Sequence, residues 1–223
     1  MKPKDVRYPY SFDERRPHLE DRLLFVPEHY QSHRDFEMPL LSQIFSNDNP
    51  VALEFCSGNG QWILDRAEGD REKNWIAVEK QFKRSRKITA KMHNRQLDNV
   101  MVVSGEGLTF ASNYLPDSVV DEIYVNFPDP WPKDRHAKHR IVQLPFANEC
   151  RRILKPNGTI LLVTDHPTYA EQMIDVMREA EGIEFVYEAP HFITNCTDYG
   201  PSFFDSLWRS KGRTIHFIKS KKV

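Results

Sequence analysis

The chain has 223 residues, 39% hydrophobic and 28% charged, with a net charge of −1, a composition that suits one globular domain able to bury about 70% of its unfolded surface. No apolar run approaches the roughly 20 residues needed to cross a bilayer, and Met1-Lys2-Pro3-Lys4 has no apolar segment behind it, so neither a membrane span nor a secretory leader is expected. The three cysteines, Cys56, Cys150 and Cys196, are odd in number and far apart, which points to reduced thiols in a cytoplasm and away from a zinc site or any other metal.

Residues 1–34 mix Pro, Arg, Tyr and acids without periodicity and are expected to form an irregular arm, with a single domain over residues 35–223. A short helix is expected over 36–45. Val51-Ala52-Leu53-Glu54-Phe55-Cys56 is an apolar run ended by Gly58-Asn59-Gly60, hence a buried strand and a tight turn. A helix over 61–68 and a strand over 75–79 follow. The segment 80–96 is a long helix, with Phe82, Ser85, Ile88, Thr89 and Met92 as its inner stripe and Lys80, Arg84, Lys87, Lys91 and Arg95 along another face. Strands over 100–103 and 122–127 bracket a short helix over 108–114.

A helix over 141–154 places Pro145 in its first turn, where a missing N–H costs little. Lys155-Pro156-Asn157-Gly158 stops it before a strand over 158–164 and a helix over 169–181. Strands over 183–188 and 214–219 bring the count to seven. Strand–helix alternation with near-continuous apolar strands means a mostly parallel α/β sheet covered by helices on both faces. The last two strands have no helix between them in this reading, so the last runs antiparallel. The connection joining them is of a length usual for functional or disordered segments.

Chemistry-bearing residues cluster where strands end. Glu54 precedes a turn with Gly58 and Gly60, but position 63 is Ile63 where a dinucleotide fingerprint wants glycine. An acid with two glycines suits a cationic, phosphate-free cofactor better than a pyrophosphate. Glu79 ends the second strand, where an acid accepts hydrogen bonds from ribose hydroxyls. Glu106 follows the third, placed to reach an adenine amino group. One acid after each of three successive strands is more specific than any one alone.

The fourth strand runs into Asn126-Phe127-Pro128-Asp129-Pro130-Trp131-Pro132-Lys133-Asp134-Arg135-His136-Ala137-Lys138-His139-Arg140. Three prolines fix the backbone and hold Asp129 and Trp131 in one geometry. The run behind them is basic, like two other stretches, 80–97 and 209–222, in a chain otherwise balanced in charge. Such clusters are the footprint of a nucleic-acid partner.

This segment resembles the signature of the bacterial tRNA (guanine-N7-)-methyltransferases, the TrmB type, which reads roughly F-P-D-P-W-x-K-x-R-H-x-K-R-R. The chain departs from it at His139, where the family usually has arginine. The resemblance runs from Glu54 to the C-terminus and includes Leu162-Val163-Thr164-Asp165, while the first ~35 residues carry none of it. It implies a Rossmann-like class I methyltransferase fold and S-adenosyl-L-methionine as cofactor. It implies tRNA as the partner, with the variable-loop guanine (position 46 in tRNA numbering) as target, and a cytoplasmic monomer or homodimer with no obligatory protein partner.

Carried over residue by residue, the resemblance puts Glu54, Gly58, Gly60, Glu79, Glu106 and Asp129 at the cofactor, with Asp129 also the catalytic residue. Lys133 and Asp165 become substrate contacts, and Arg135, His136, Lys138, His139 and Arg140 an RNA-interacting run. The family's late T-x-[FY]-E element is altered here to Ser202-Phe203-Phe204-Asp205, giving Ser202 and Asp205 as substrate contacts. Thr197-Asp198-Tyr199-Gly200 competes for that role.

Two other readings stand beside this one. An exocyclic-amine methyltransferase of nucleic acid is suggested by the likeness of the turn to [DN]-P-P-[YFW], though that motif lacks the extra residues and the basic tail. A catalytically silent RNA-binding module on the same fold is the other, opposed by intact Glu54, Glu79 and Asp129.

Overall fold

In the computed structural model, which describes residues 1–223 apart from the side chain of Asp134, the arm is not irregular throughout. It carries an antiparallel pair, β1 (His18–Glu20) and β2 (Leu23–Phe25). Helix α1 (Leu41–Phe45) is shorter than expected, because Pro39 disfavours helix in the residue before it. Then come β3 (Val51–Phe55), α2 (Gln61–Gly69), β4 (Asn74–Glu79), α3 (Phe82–Asn94), β5 (Val100–Ser104) and α4 (Gly107–Tyr114). These form the first of two compact units, Met1–Pro116.

In that unit the strand order is β1-β2-β5-β4-β3, and every pair beyond the β1–β2 hairpin is parallel. All residues of β3, β4 and β5 are buried, as continuous apolar strands of a doubly covered sheet must be. β2 seats alongside β5 through hydrogen bonds from Val102 N to Arg22 O (2.7 Å) and from Val26 N to Ser104 O (2.9 Å). Gly105 makes this seat possible. A Cβ there would lie 2.5 Å from the Val26 Cβ and 2.7 Å from the Val26 carbonyl.

The inner stripe of α3 is largely as expected: Ser85, Ile88, Thr89 and Met92 are buried, and Phe82 is half-buried. Its basic face divides, however. The Lys91 ammonium donates to Asn59 O (2.8 Å) and that of Lys87 to Asn59 Oδ1 (3.4 Å), while Arg95 pairs with Asp65 (2.6 Å) and Glu68 (3.2 Å) on α2. Lys80, Lys83 and Arg84, nearer the helix start, are the exposed cations.

The second unit, Asp117–Val223, holds β6 (Val120–Asn126), α5 (Leu144–Ile153), β7 (Leu154–Thr164), α6 (Pro167–Glu179), β8 (Ile183–Phe185), α7 (Phe203–Ser210) and β9 (His216–Lys222). Its strand order is β6-β7-β9-β8. β6 and β7 are parallel, and β9 runs antiparallel to both β7 and β8, as expected of the last strand. Residues 155–158 do not end α5, which stops at Ile153; they lie inside β7, which opens at Leu154 and has a register shift against β6 between Val120 and Glu122.

Two corrections to the sequence reading follow. Nine strands are present where seven are expected, both additions coming from the arm. A helix, α7, does lie between the last two strands. The α/β class and the mostly parallel sheet stand.

Gly105→Ala tests the seat of the arm. The added methyl must displace backbone, so stability should fall by about 1–3 kcal/mol in chemical denaturation. Combining it with Val26→Ala should not recover the loss, because alanine keeps both the Cβ and the carbonyl that the added methyl meets.

Candidate active site

In the first unit the acids stand at strand ends as expected. Glu54, 2% exposed, lies in β3, and the chain behind it turns through left-handed backbone at Cys56 (φ +64°), Gly58 (+57°) and Gly60 (+72°). Gly60 needs to be glycine twice over, since a Cβ there would also sit 2.8 Å from the Ile88 side chain on α3. Glu79, 5% exposed, ties the turn down. Its Oε2 accepts from Gly58 N and its Oε1 from Gln81 N, both at 2.8 Å, with the Arg84 guanidinium 3.9 Å away. Burial pushes the Glu79 carboxyl above its ordinary 4.5, against the downward pull of these donors.

Glu106 has a structural task that its sequence position does not announce. It is the N-cap of α4, its Oε1 accepting from Leu108 N (3.0 Å) and its Oε2 from Thr109 N (2.7 Å) and the Thr109 hydroxyl (2.8 Å). Each carboxylate oxygen has more than one lone pair, so capping leaves acceptor capacity toward a ligand. Fixed acids and a left-handed turn suit a cationic ligand with hydroxyls, the donor set expected from the sequence.

In the second unit β6 delivers the proline-rich loop. Phe127 (φ +44°) and Trp131 (φ +40°) are both left-handed and flank Pro128-Asp129-Pro130. Phe127 N bonds Val163 O at 2.9 Å, fixing the loop's start to β7. Its end is fixed by Arg140, 6% exposed. Arg140 Nε donates to Pro130 O (2.7 Å), Nη2 to Trp131 O (3.4 Å) and Nη1 to the Gln172 side chain, while its guanidinium lies 4.9 Å from the Tyr169 ring centroid. Arg140 therefore does not stand with the RNA-interacting run in which the sequence places it. It is buried, and it positions the loop.

The remaining members of that run face solvent: Arg135, Lys138 and His139 are exposed and His136 is half-buried, and Lys133, expected as a substrate contact, is exposed as well. The rings of His136 and His139 rest 5.8 and 5.3 Å from Trp131, so the run wraps the tryptophan. Asp129 is exposed at the loop's crest.

Asp165 pairs with Arg213, whose guanidinium lies 4.1 Å from the Trp208 ring. Ser202 is the N-cap of α7, its Oγ accepting from Asp205 N at 3.0 Å, and Asp205 in turn holds Arg209 Nε at 3.0 Å. In the competing element Thr197 and Asp198 are exposed, and Tyr199 is buried against Phe217 at 5.2 Å. The sequence reading also misses Phe204, exposed on α7 with its ring 5.8 Å from Phe127. The helical spacing of Phe203, Phe204, Leu207 and Trp208 is the signal that would have found it.

A family model described as a putative methyltransferase matches residues 48–218. A tRNA (guanine-N(7)-)-methyltransferase of Chlamydia felis (strain Fe/C-56) is 46% identical over 222 residues, covering 100% of this chain and 98% of that protein. The chain belongs to this methyltransferase family. A member from Vibrio vulnificus (strain YJ016) is 32% identical over 85% of this chain and 80% of its own length. The chlamydial match extends through the arm, beyond the Glu54 limit of the sequence resemblance. Among solved structures, the 16S rRNA methyltransferase KamB superposes with a TM-score of 0.59 at 17% identity, over 84% of this chain and 95% of that one. That likeness gives the fold, Rossmann-like.

Two outcomes test the site. Arg140→Lys keeps the charge but loses the forked donors, so the denaturation midpoint should drop by the equivalent of about 1.5–3 kcal/mol; Arg135→Ala, at an exposed position, should leave it unchanged. For Glu79 the folded carboxyl titrates above its unfolded value, so the folded state holds the proton more tightly. Wild-type stability relative to Glu79→Gln should therefore fall as pH rises from the ordinary 4.5 through the raised value, then level off. Denaturation of both proteins across that range reads the difference, and a difference that grows with pH would contradict the assignment.

Proposed function

We propose that this chain transfers the methyl group of S-adenosyl-L-methionine to N7 of a guanine in tRNA, the variable-loop guanine being the target. The observation that carries this reading is the 46% identity, over the full chain, to a tRNA (guanine-N(7)-)-methyltransferase. The loop residues Phe127-Pro128-Asp129-Pro130-Trp131 and the acids Glu54 and Glu79 support it.

Glu54, Gly58, Gly60, Glu79 and Glu106 hold the cofactor in this assignment. Glu79 receives ribose hydroxyls, and the glycine turn gives close backbone approach. When bound, the cofactor supplies an electrophilic methyl on a sulfonium. Guanine N7 already carries a lone pair, so no group here needs to remove a proton from it. The work left to the protein is alignment and exclusion of water, which can supply much of the rate.

Asp129 orients the guanine and stabilises the positive charge that develops on the base. Lys133, Asp165, Ser202 and Asp205 surround the acceptor nucleotide. Arg135, His136, Lys138 and His139 grip phosphates, and such binding falls steeply with salt. Arg140 acts through the loop, as a positioning residue. N7 lies on the Hoogsteen edge, so a paired guanine must first be exposed. Among the described residues no helix is long and apolar enough to cross a membrane; the assignment itself is of a cytoplasmic enzyme acting as a monomer or homodimer.

The test is incubation with methyl-labelled S-adenosyl-L-methionine and unmodified tRNA, followed by mapping of the modified base. A cationic, base-labile 7-methylguanosine in the variable loop is expected. N6-methyladenosine, or no transfer, would overturn the reading. Asp129→Asn should lose about 100-fold or more in turnover while cofactor still binds; normal turnover would remove Asp129 from its role.

A further inference from the structure

We propose that the N-terminal arm builds a second binding site, a pocket that takes one unpaired nucleotide of the RNA substrate. The inference rests on the reading that the substrate is RNA. The arm lines one side of an open cavity of about 790 Å³, within the range of natural small-ligand sites and ample for a nucleotide. Its floor is Val26 with Ser104 and Gly105, the close backbone approach that glycine permits. The arm supplies Tyr8, Tyr10 and Phe12 as wall and rim. Glu54, Glu79 and Glu106 are not among the described residues lining it, but it adjoins them, since Gln81 and Gly105 in its lining bond Glu79 through main-chain amides.

The composition of the lining points to a nucleobase. Tyr8 is held by stacking on Phe82, ring centroids 4.0 Å apart and 29° between planes, yet is 53% exposed. Phe12 is 76% exposed, with the Arg15 guanidinium 4.1 Å from its ring centroid. These rings add little to the core, and exposed aromatic faces beside an arginine are the platform on which unpaired bases stack. Glu28 and Lys80 meet at 2.9 Å on the same rim. They offer one acceptor and one donor to the edge of a base, which carries both amino and carbonyl groups.

The Tyr10 hydroxyl also lines the pocket and is a donor at neutral pH, as tyrosine ordinarily is. The exposed cations Lys83 and Arg84 continue from Lys80 along the start of α3, where a phosphate chain entering the pocket would run. An open mouth with cations on one side suits a nucleotide within a strand better than a free nucleotide, which needs enclosure.

The experiment uses the full chain, unmodified tRNA transcript and the double variant Phe12→Ala/Arg15→Ala. The KM for tRNA should rise by about tenfold, the range for one lost base stack, with affinity for S-adenosyl-L-methionine unchanged and the thermal midpoint retained. In parallel, wild-type protein irradiated with a 4-thiouridine-substituted transcript should yield a crosslinked peptide spanning residues 8–15. An unchanged KM, the absence of that crosslink, or a loss falling on S-adenosyl-L-methionine affinity instead of tRNA would overturn the pocket. Failure of the wild type to methylate tRNA would overturn the substrate reading, a separate result.

Discussion

A carboxylate taken out of water must find fixed donors in place of its hydration, and much of the first unit is arranged around one such group. Glu79 finds its donors in two main-chain amides on either side of it: Gly58 in the turn after β3, and Gln81 at the start of α3. One side chain thereby sets where the turn stops and where the helix begins. The helix returns the constraint, since Lys87 and Lys91 reach back to Asn59 and Ile88 leaves no space for a side chain at Gly60. A turn held from so many directions keeps its left-handed backbone in a defined place, as a rigid binding shell requires.

The second unit solves a similar problem with the opposite charge. The loop after β6 has few hydrogen bonds of its own, because its prolines lack N–H groups. Arg140 supplies the missing donors to the carbonyls of Pro130 and Trp131 from a buried position against Tyr169. Its neighbours in the chain turn outward, so a short stretch contains both the support of the loop and the charges facing solvent. In the proposed function the two constructions have distinct tasks: acids for a cationic cofactor, and a rigid acidic crest with basic flanks for a nucleic-acid base.

Legibility in the sequence follows the strength of the physical signal. β3, β4 and β5 are continuous apolar runs ended by polar or glycine residues, and a doubly covered sheet leaves that pattern unmistakable. β2 is three residues long and its partner β5 lies far along the chain, so neither period nor proximity announces it. α7 is short, with no buried residue, and lies inside a segment rich in turn formers. Arginines in a basic run look alike until tertiary structure separates the one that meets a carbonyl from those that meet water, which is why Arg140 reads as an RNA contact. Capping by Glu106 hides for a related reason: an acid before a helix serves the helix and a ligand equally well in sequence. The choice of guanine N7 comes from kinship, not from any spacing of residues.

Phe127 and Trp131 show what such a site asks of its own backbone. Both carry large side chains at positive φ, a conformation that costs residues other than glycine of order 1 kcal/mol or more. Glycine at either place would relieve that local strain, yet it would remove the ring that meets Phe204 or the one that packs with His136 and His139. The loop after β6 thus holds a spring, wound by two aromatic residues and latched by an arginine. Selection for a relaxed backbone alone would unwind it.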